Sequence, residues 1–121
     1  MQQVRQRILC VDGNPDIREM LTTLLGAAGY EATSVATEQD ATRFIARDHF
    51  DLFILDKLSR TDAGLELCRE LRRQHPHIPI IIYSADALER HHREAVEAGA
   101  TAYIDKPHIK PLVRAVEKLI R

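Results

Sequence analysis

Short apolar runs and amphipathic stretches alternate five times along the chain. The apolar runs have the length and composition of buried β-strands. Each is followed by apolar residues at the spacing of one α-helix face. The predicted strands are 7–11, 31–35, 51–55, 78–83 and 101–104. This alternation is typical of an α/β domain whose parallel sheet is covered by helices on both faces.

The predicted helices have recognisable start and stop signals. Asn14 is suited to cap the first helix, with Pro15 at its first position. Gly29 and Gly99 are suited to end the first and fourth helices. The fourth helix, predicted near 87–98, is poor in apolar residues. Most of its apolar residues are Leu88, Ala95 and Val96.

Right-handed crossover connections restrict how five parallel strands can be ordered. They favour a doubly wound (βα)5 sheet in the order 2-1-3-4-5, the flavodoxin-like arrangement. In such sheets ligands bind at the carboxyl ends of the strands, near the switch point between strands one and three. Four polar residues lie at these ends: Asp12, Asp56, Ser84 and Lys106. We therefore expect all four at one edge of the sheet.

Two carboxylates, a hydroxyl and an ammonium group around one point suit a phosphoryl group and a divalent cation. Aspartates can form acyl phosphates, and Asp56 is placed to be the nucleophile. Lys106 and Ser84 can each pair with a phosphoryl oxygen, and Mg²⁺ held by Asp12 and Asp56 can take a third. The sequence has no GxxxxGK[ST] loop and no GxGxxG motif, which disfavours nucleotide binding.

These features resemble the receiver domains of two-component response regulators. The matching segments extend over nearly the whole chain and are ILCVD, DLFILD, a glycine eight residues beyond Asp56, PIIIYSA and AYIDKP. The resemblance implies that Asp56 accepts a phosphoryl group from a phosphohistidine on a sensor histidine kinase or phosphotransfer protein. It also implies that Ser84 is the switch hydroxyl, Tyr103 the switch aromatic and Lys106 the lysine that bonds the phosphoryl group. Simple packing of Tyr103 in an edge strand is an open alternative.

The sequence departs from the family pattern in the acidic pocket and in the loop after Asp56. The family usually has two adjacent acids after strand one, whereas Gly13 occupies the second position here. We therefore expect Mg²⁺ binding to be weak. Lys57 and Arg60 stand where the family usually has an apolar residue and a proline, and His108 replaces the common aromatic after the lysine–proline pair.

The leading hypothesis is a single-domain receiver (1–121), a phosphorylation-controlled binding module and not an enzyme. Its downstream protein target is expected at the face of the fourth helix, fifth strand and fifth helix, because a sparsely packed helix suits a switching element. A receiver excised from a longer regulator or hybrid kinase would have the same features. One alternative is a pseudo-receiver that binds proteins without phosphorylation, which Gly13 motivates. The other is an aspartyl-phosphate phosphatase, which Leu58 disfavours because such enzymes commonly place a second acid there.

Composition narrows the partners and the cellular location. The chain has 121 residues. Its net charge of −1 gives it no general attraction to nucleic acid or anionic lipid. No apolar run approaches the ~20 residues that span a bilayer, so no membrane association is expected. A cytoplasmic monomer or weak homodimer is expected. Arg69, Arg72 and Arg73 are interpreted as a solvated helix face, and Cys10 and Cys68 as buried free thiols.

The fourth helix also contains two adjacent histidines, His91 and His92. Neighbouring residues on a helix point about 100° apart, so the two rings cannot chelate one ion together. The pair is therefore not interpreted as a metal site.

Overall fold

The computed structural model describes residues 4–56, 63–85 and 89–120. Within these ranges strands and helices alternate as predicted. The elements are β1 (Arg7–Val11), α1 (Pro15–Ala27), β2 (Glu31–Val35), α2 (Glu38–Arg47), β3 (Leu52–Leu55), α3 (Ala63–Gln74), β4 (Ile80–Ser84), α4 (Glu89–Glu97), β5 (Ala102–Asp105) and α5 (Ile109–Leu119). Among the described residues, no helix is both long and apolar enough to cross a membrane.

The five strands form one parallel sheet in the order β2-β1-β3-β4-β5, which confirms the predicted topology. β1 lies between β2 and β3, and its last residue, Val11, pairs with Val35 on one side and Leu55 on the other. At the opposite edge Ser84 pairs with Asp105. The carboxyl ends of β1 and β3 are therefore neighbours, and the residues that follow them are brought together.

Two apolar layers cover the sheet. The α1/α5 layer packs Leu21 and Leu25 of α1 and Leu112 and Val116 of α5 against one face of the strands. The α2/α3/α4 layer packs residues of the other three helices against the opposite face. Because side chains alternate along a strand, successive strand residues contact different layers. The fully buried strands β1, β3 and β4 can therefore be apolar at almost every position.

The two cysteines lie in different layers. Cys10 belongs to the α1/α5 layer and Cys68 to the α2/α3/α4 layer, and both are free thiols. Burial, with the charge of Asp12 adding to it, raises the pKa of Cys10 to about 12. Burial also raises the pKa of Cys68 to about 11. The predicted buried, unpaired thiols are confirmed.

The capping signals act as predicted. Asn14 is the N-cap of α1, and its side-chain oxygen accepts a hydrogen bond of 2.9 Å from the Asp16 amide, with Pro15 beginning the helix. Gly29 and Gly99 follow the helix ends with φ angles of +99° and +103°. Residues other than glycine adopt such angles only with strain, so these glycines permit the turns.

The boundaries of the last three strands differ slightly from the prediction. β3 begins at Leu52, one residue later than predicted. β4 begins at Ile80, because Pro79 has no amide hydrogen to donate to a neighbouring strand. It continues through Ser84, which is therefore the last residue of the strand and does not follow it. β5 is displaced by one residue and ends at Asp105.

The fourth helix buries small residues and one histidine. Val96 of α4 is 67% exposed, and the buried stripe among the described residues consists of His91, Ala95 and Ala98. These three residues have the i, i+4, i+7 spacing of one helix face, from which position 96 points away. Leu88 lies outside the described residues.

Arg72 does not belong to a solvated helix face, although Arg69 and Arg73 are exposed. Its guanidinium group joins the end of α3 to the turn before β5. It donates hydrogen bonds of 2.9 to 3.2 Å to the carbonyl oxygens of His75, Pro76 and Gly99 and to the hydroxyl of Thr101. The interpretation of Arg72 as a solvent-facing charge is therefore corrected.

Candidate functional site

Lys106 lies between the two predicted carboxylates at the carboxyl edge of the sheet. Its Nζ is 2.7 Å from Oδ2 of Asp12 and 3.4 Å from Oδ1 of Asp56. The exposed fractions of the side chains are 4% for Asp12, 15% for Lys106 and 19% for Asp56. Asp56 is thus the more accessible carboxylate, and one ammonium group offsets part of the charge of both acids.

Asp12 is held in place because each of its polar groups takes part in a hydrogen bond. Its Oδ1 accepts a hydrogen bond of 2.9 Å from the Asn14 amide, and its Oδ2 accepts the bond from Lys106. Its own amide donates to the carbonyl of Val35, which continues the β1–β2 ladder past the end of β1. A cation that uses Asp12 must therefore share carboxylate oxygens that already have donors.

Arg18 adds a second positive charge beside Asp12 and was missed by the sequence reasoning. Its Nη1 donates a hydrogen bond of 2.8 Å to the backbone carbonyl of Asp12. Arg18 is one helical turn beyond the N-cap Asn14, and its amide bonds the Asn14 carbonyl. A basic residue one turn after a cap is the signal that could have indicated this contact.

Asp56 continues β3 by one residue. Its amide donates a hydrogen bond of 2.9 Å to the carbonyl of Val11, so β1 holds the backbone from which the carboxylate projects. The predictions for Lys57, Leu58 and Arg60 concern the loop after Asp56 and lie outside the described residues.

Ser84 and Tyr103 lie on the side of the sheet opposite the acidic pair. By strand alternation, Ser84 points to the same side as Ile82, which packs in the α2/α3/α4 layer. Tyr103 is half-buried against that layer. Ser84 is 4% exposed, and its carbonyl accepts a hydrogen bond of 2.9 Å from the Lys106 amide. The structure therefore brings Ser84 to the predicted edge, and its backbone contacts the site lysine.

Tyr83 forms an apolar wall beside Lys106 and was also missed. It is 1% exposed, and the Lys106 Nζ lies 5.7 Å from the centroid of its ring. Its hydroxyl has no hydrogen-bond partner in the described part of the chain. Burial, and after it the charge of Asp12, raises the pKa of Tyr83. The neutral ring therefore faces the ammonium group of the lysine at the distance of a cation–π contact.

The backbone conformation at position 13 does not require glycine. Its φ angle is outside the positive range, unlike that of Gly29 or Gly99, and among the described residues an added Cβ would have no atom within 4 Å beyond its chain neighbours. A β-carbon therefore fits at this position. The missing second acid leaves open space beside Asp12.

The pocket offers few ligands for a metal ion. Within the described ranges, no group of three or more His, Cys, Asp and Glu residues is arranged to hold one. Asp12 and Asp56 are the acidic groups at the site, and both contact Lys106. Such a pair fits Mg²⁺ only where other oxygens, such as those of a phosphoryl group or water, complete the octahedron.

Comparison with known proteins gives a consistent result. A model of the response regulator receiver domain family matches residues 8–117. The phosphate regulon transcriptional regulatory protein PhoB of Pseudomonas aeruginosa is 36% identical over 121 residues, which cover 98% of this chain and 53% of PhoB. The response regulator protein PilR of the same species is 33% identical over 103 residues, covering 85% of this chain and 23% of PilR. The chain thus spans about half or less of these relatives.

Solved structures show the same likeness. The response regulator TrrA of Thermotoga maritima, in complex with Mg²⁺-BeF, is 32% identical with a TM-score of 0.83, covering 95% of this chain and 99% of TrrA. The chemotaxis response regulator CheY4 of Vibrio cholerae is 25% identical with a TM-score of 0.87, covering 97% of this chain and all of CheY4 (100%).

Proposed function

Because the chain belongs to the response regulator receiver domain family, we propose that it is a signalling module controlled by phosphorylation of Asp56. The observation that carries this proposal is the position of Lys106, with its Nζ 2.7 Å from Asp12 and 3.4 Å from Asp56. A positive charge beside an accessible strand-end carboxylate is what an incoming phosphoryl group requires.

The proposed reaction is a phosphoryl transfer from a histidine to Asp56. A carboxylate oxygen of Asp56 forms a bond to phosphorus while the bond from phosphorus to the histidine nitrogen breaks, and the imidazole leaves with the electron pair. Lys106 faces the charge on the phosphoryl oxygens, and Asp12 holds Lys106 in place. Ser84 is the candidate donor to a further phosphoryl oxygen.

We propose that Mg²⁺ binds weakly at this site. Asp12 and Asp56 would hold it, and when bound it would neutralise charge on the phosphoryl group. The open space at Gly13 and the contact of Lys106 with both acids support weak binding. Loss of a direct ligand should weaken affinity by roughly 10- to 100-fold or more relative to a site with a second acid.

The proposed partners follow from this chemistry. The phosphoryl donor is a sensor histidine kinase or a phosphotransfer protein, and the downstream target is a protein that binds the α4–β5–α5 face. The module has no enzymatic activity of its own on other substrates. We propose a cytoplasmic location and a monomer or weak homodimer.

A pseudo-receiver is the second candidate function, and Gly13 is the observation that favours it. It would bind its partner through the same fold without phosphorylation. The phosphatase alternative depends on Leu58, which lies outside the described residues. Phosphate incorporation separates the first two candidates, and turnover of a phosphate ester would support the third.

Intact-mass measurement after incubation with a small phosphodonor and Mg²⁺ tests the proposed function. The wild type should gain one phosphoryl group, and Asp56→Asn should gain none, because the amide keeps the shape and removes the nucleophile. Asp16→Asn is the matched control, since Asp16 is an exposed acid in the first turn of α1. It should be phosphorylated like the wild type. A phosphoryl group on another aspartate of Asp56→Asn would show that the assignment is wrong.

A further inference from the structure

His92 on α4 lies flat against Tyr103 on β5. The ring centroids are 3.9 Å apart and the ring planes meet at 25°, so the two rings are stacked. The Nε2 atom of His92 is also 3.4 Å from Oδ1 of Asp105. Tyr103 and Asp105 are two residues apart on one strand and point to the same side of it. One side chain of α4 therefore contacts both.

The contact with Asp105 is shielded from water. The side chains of His92 and Asp105 are 39% and 37% exposed as a whole, but the two facing atoms are buried. Neither atom has a hydrogen-bond partner among the residues that the structure describes. The strand segment held in this way ends one residue before Lys106, the lysine that contacts both site carboxylates.

We propose that His92 is a positioning residue for Tyr103 and stabilises the resting arrangement of the α4–β5 face. The inference rests on the proposed function, because it takes Tyr103 to be the side chain that moves when Asp56 is phosphorylated. Ser84 is buried at the end of β4, and in this proposal activation moves Tyr103 toward Ser84 and away from the His92 ring. The ring stack is then lost.

A contact made only in the resting state shifts the equilibrium by its own free energy. A stacked aromatic pair accounts for roughly a 2- to 10-fold change in such an equilibrium. Without His92 the activated arrangement becomes more accessible by that factor. A phosphoryl mimic that selects this arrangement then binds correspondingly more tightly.

The test compares His92→Ala with two other variants of α4. His92→Phe keeps a ring against Tyr103 and removes the nitrogen that faces Asp105. Arg93→Ala is the control, because Arg93 is an exposed neighbour on the same helix. Two quantities are measured: the affinity for beryllofluoride in saturating Mg²⁺, and the ring resonances of ¹³C-labelled tyrosine in the protein without the mimic. The Tyr103 resonance is assigned from its absence in Tyr103→Phe.

We expect His92→Ala to bind beryllofluoride roughly 2- to 10-fold more tightly than the wild type. The Tyr103 resonance should shift, because the ring current of the imidazole is lost. His92→Phe should bind beryllofluoride with an affinity close to that of the wild type. Arg93→Ala should match the wild type in both measurements.

If the wild type binds beryllofluoride and His92→Ala binds it equally or less tightly, the proposed role of His92 is overturned. An unchanged Tyr103 resonance would do the same. Failure of the proposed function has a different signature, in which the wild type and all variants fail to bind beryllofluoride. That result would overturn the switching role of His92 together with the proposed function, even if the resonance shift still reported the stack.

Discussion

Gly13 leaves the acidic pocket without a second carboxylate beside Asp12. Asp12 keeps a fixed position because Asn14 and Lys106 donate to its two oxygens. The β-carbon of a second acid at position 13 would come within 4 Å of no atom of the described residues beyond its chain neighbours, so the position accepts a side chain. The backbone gives no reason for glycine, since its φ angle is ordinary. The consequence of the residue is therefore chemical and concerns the metal.

Gly13→Asp is expected to strengthen Mg²⁺ binding by roughly 10- to 100-fold, because a direct carboxylate ligand is added. Phosphorylation of Asp56 at low Mg²⁺ should become faster as well. Isothermal titration with Mg²⁺ measures the first effect and intact mass over time the second. The free energy of unfolding should change by no more than about 0.5 kcal/mol, as for other exposed positions without strain.

Gly13→Ala is the matched control, because it makes the same change to the backbone without adding a ligand. It should bind Mg²⁺ like the wild type. If the wild type binds Mg²⁺ as tightly as a stably folded Gly13→Asp variant, the glycine does not limit the metal site.

The residues that the sequence identified are those at strand ends. Asp12, Asp56, Ser84 and Lys106 could be located because a parallel sheet brings the carboxyl ends of its strands together. Tyr83 and His92 could not, since their roles arise from side-chain directions and distances between elements, and for Arg18 its place one turn after the Asn14 cap was the available signal. Arg72 was misinterpreted for the same reason: no spacing along α3 shows that its guanidinium reaches the carbonyl of Gly99.

At the scale of elements, the turn from α4 to β5 is held by a close fit to α3. Gly99 has a φ angle of +103°, and a Cβ at this position would lie 2.6 Å from Cγ of Arg72. The hydroxyl oxygen of Thr101 accepts hydrogen bonds from the Arg72 guanidinium and from the Ile80 amide. The start of β5 is therefore anchored to α3 and to β4 together.

Gly99→Ala is expected to destabilise the fold more than Gly29→Ala. Both positions have φ near +100°, so each variant incurs backbone strain of about 1–2 kcal/mol. Only at Gly99 does the new methyl group also meet Arg72, and overpacking adds about 1–3 kcal/mol. Urea unfolding of the two variants measures the difference. Equal losses of stability would show that Arg72 adapts without cost.

The element boundaries show where pattern reasoning is strong and where it fails. β1 and β2 were predicted to the residue, because turn signals bound both runs. β4 was placed two residues early, since the apolar run includes Pro79, which accepts the Phe53 amide but has no amide hydrogen of its own to donate. In α4 a titratable residue, His91, takes a buried position, which a pattern of apolar residues does not predict.

At the scale of the whole molecule, the rigid and the responsive parts are expected to differ. β1, β3 and β4 are buried on both faces, whereas all residues of β5 are only partly buried. α4 exposes Val96 and buries a short stripe of small residues and one histidine. Elements with few buried apolar contacts open at the lowest free energy.

Amide hydrogen exchange with and without beryllofluoride and Mg²⁺ should therefore differ mainly in α4 and β5. We expect altered protection across residues 89–105, because the proposed switch residue Tyr103 and its partner His92 lie there. β2 and α2, at the other edge of the sheet, serve as the internal control and should show no change. Equal protection of 89–105 in the two states would contradict the proposed face.

The separation of the two groups by the sheet has a mechanical consequence. Asp12, Asp56 and the wall of Tyr83 lie on the α1/α5 side, and Ser84, Tyr103 and Asp105 lie on the other side. The strands between them are closely packed, and such a layer resists compression and transmits strain. The two groups meet at the carboxyl edge of the sheet, where the Lys106 amide donates a hydrogen bond to the Ser84 carbonyl. A displacement of Lys106 toward a charge at Asp56 is therefore coupled to the peptide at the end of β4.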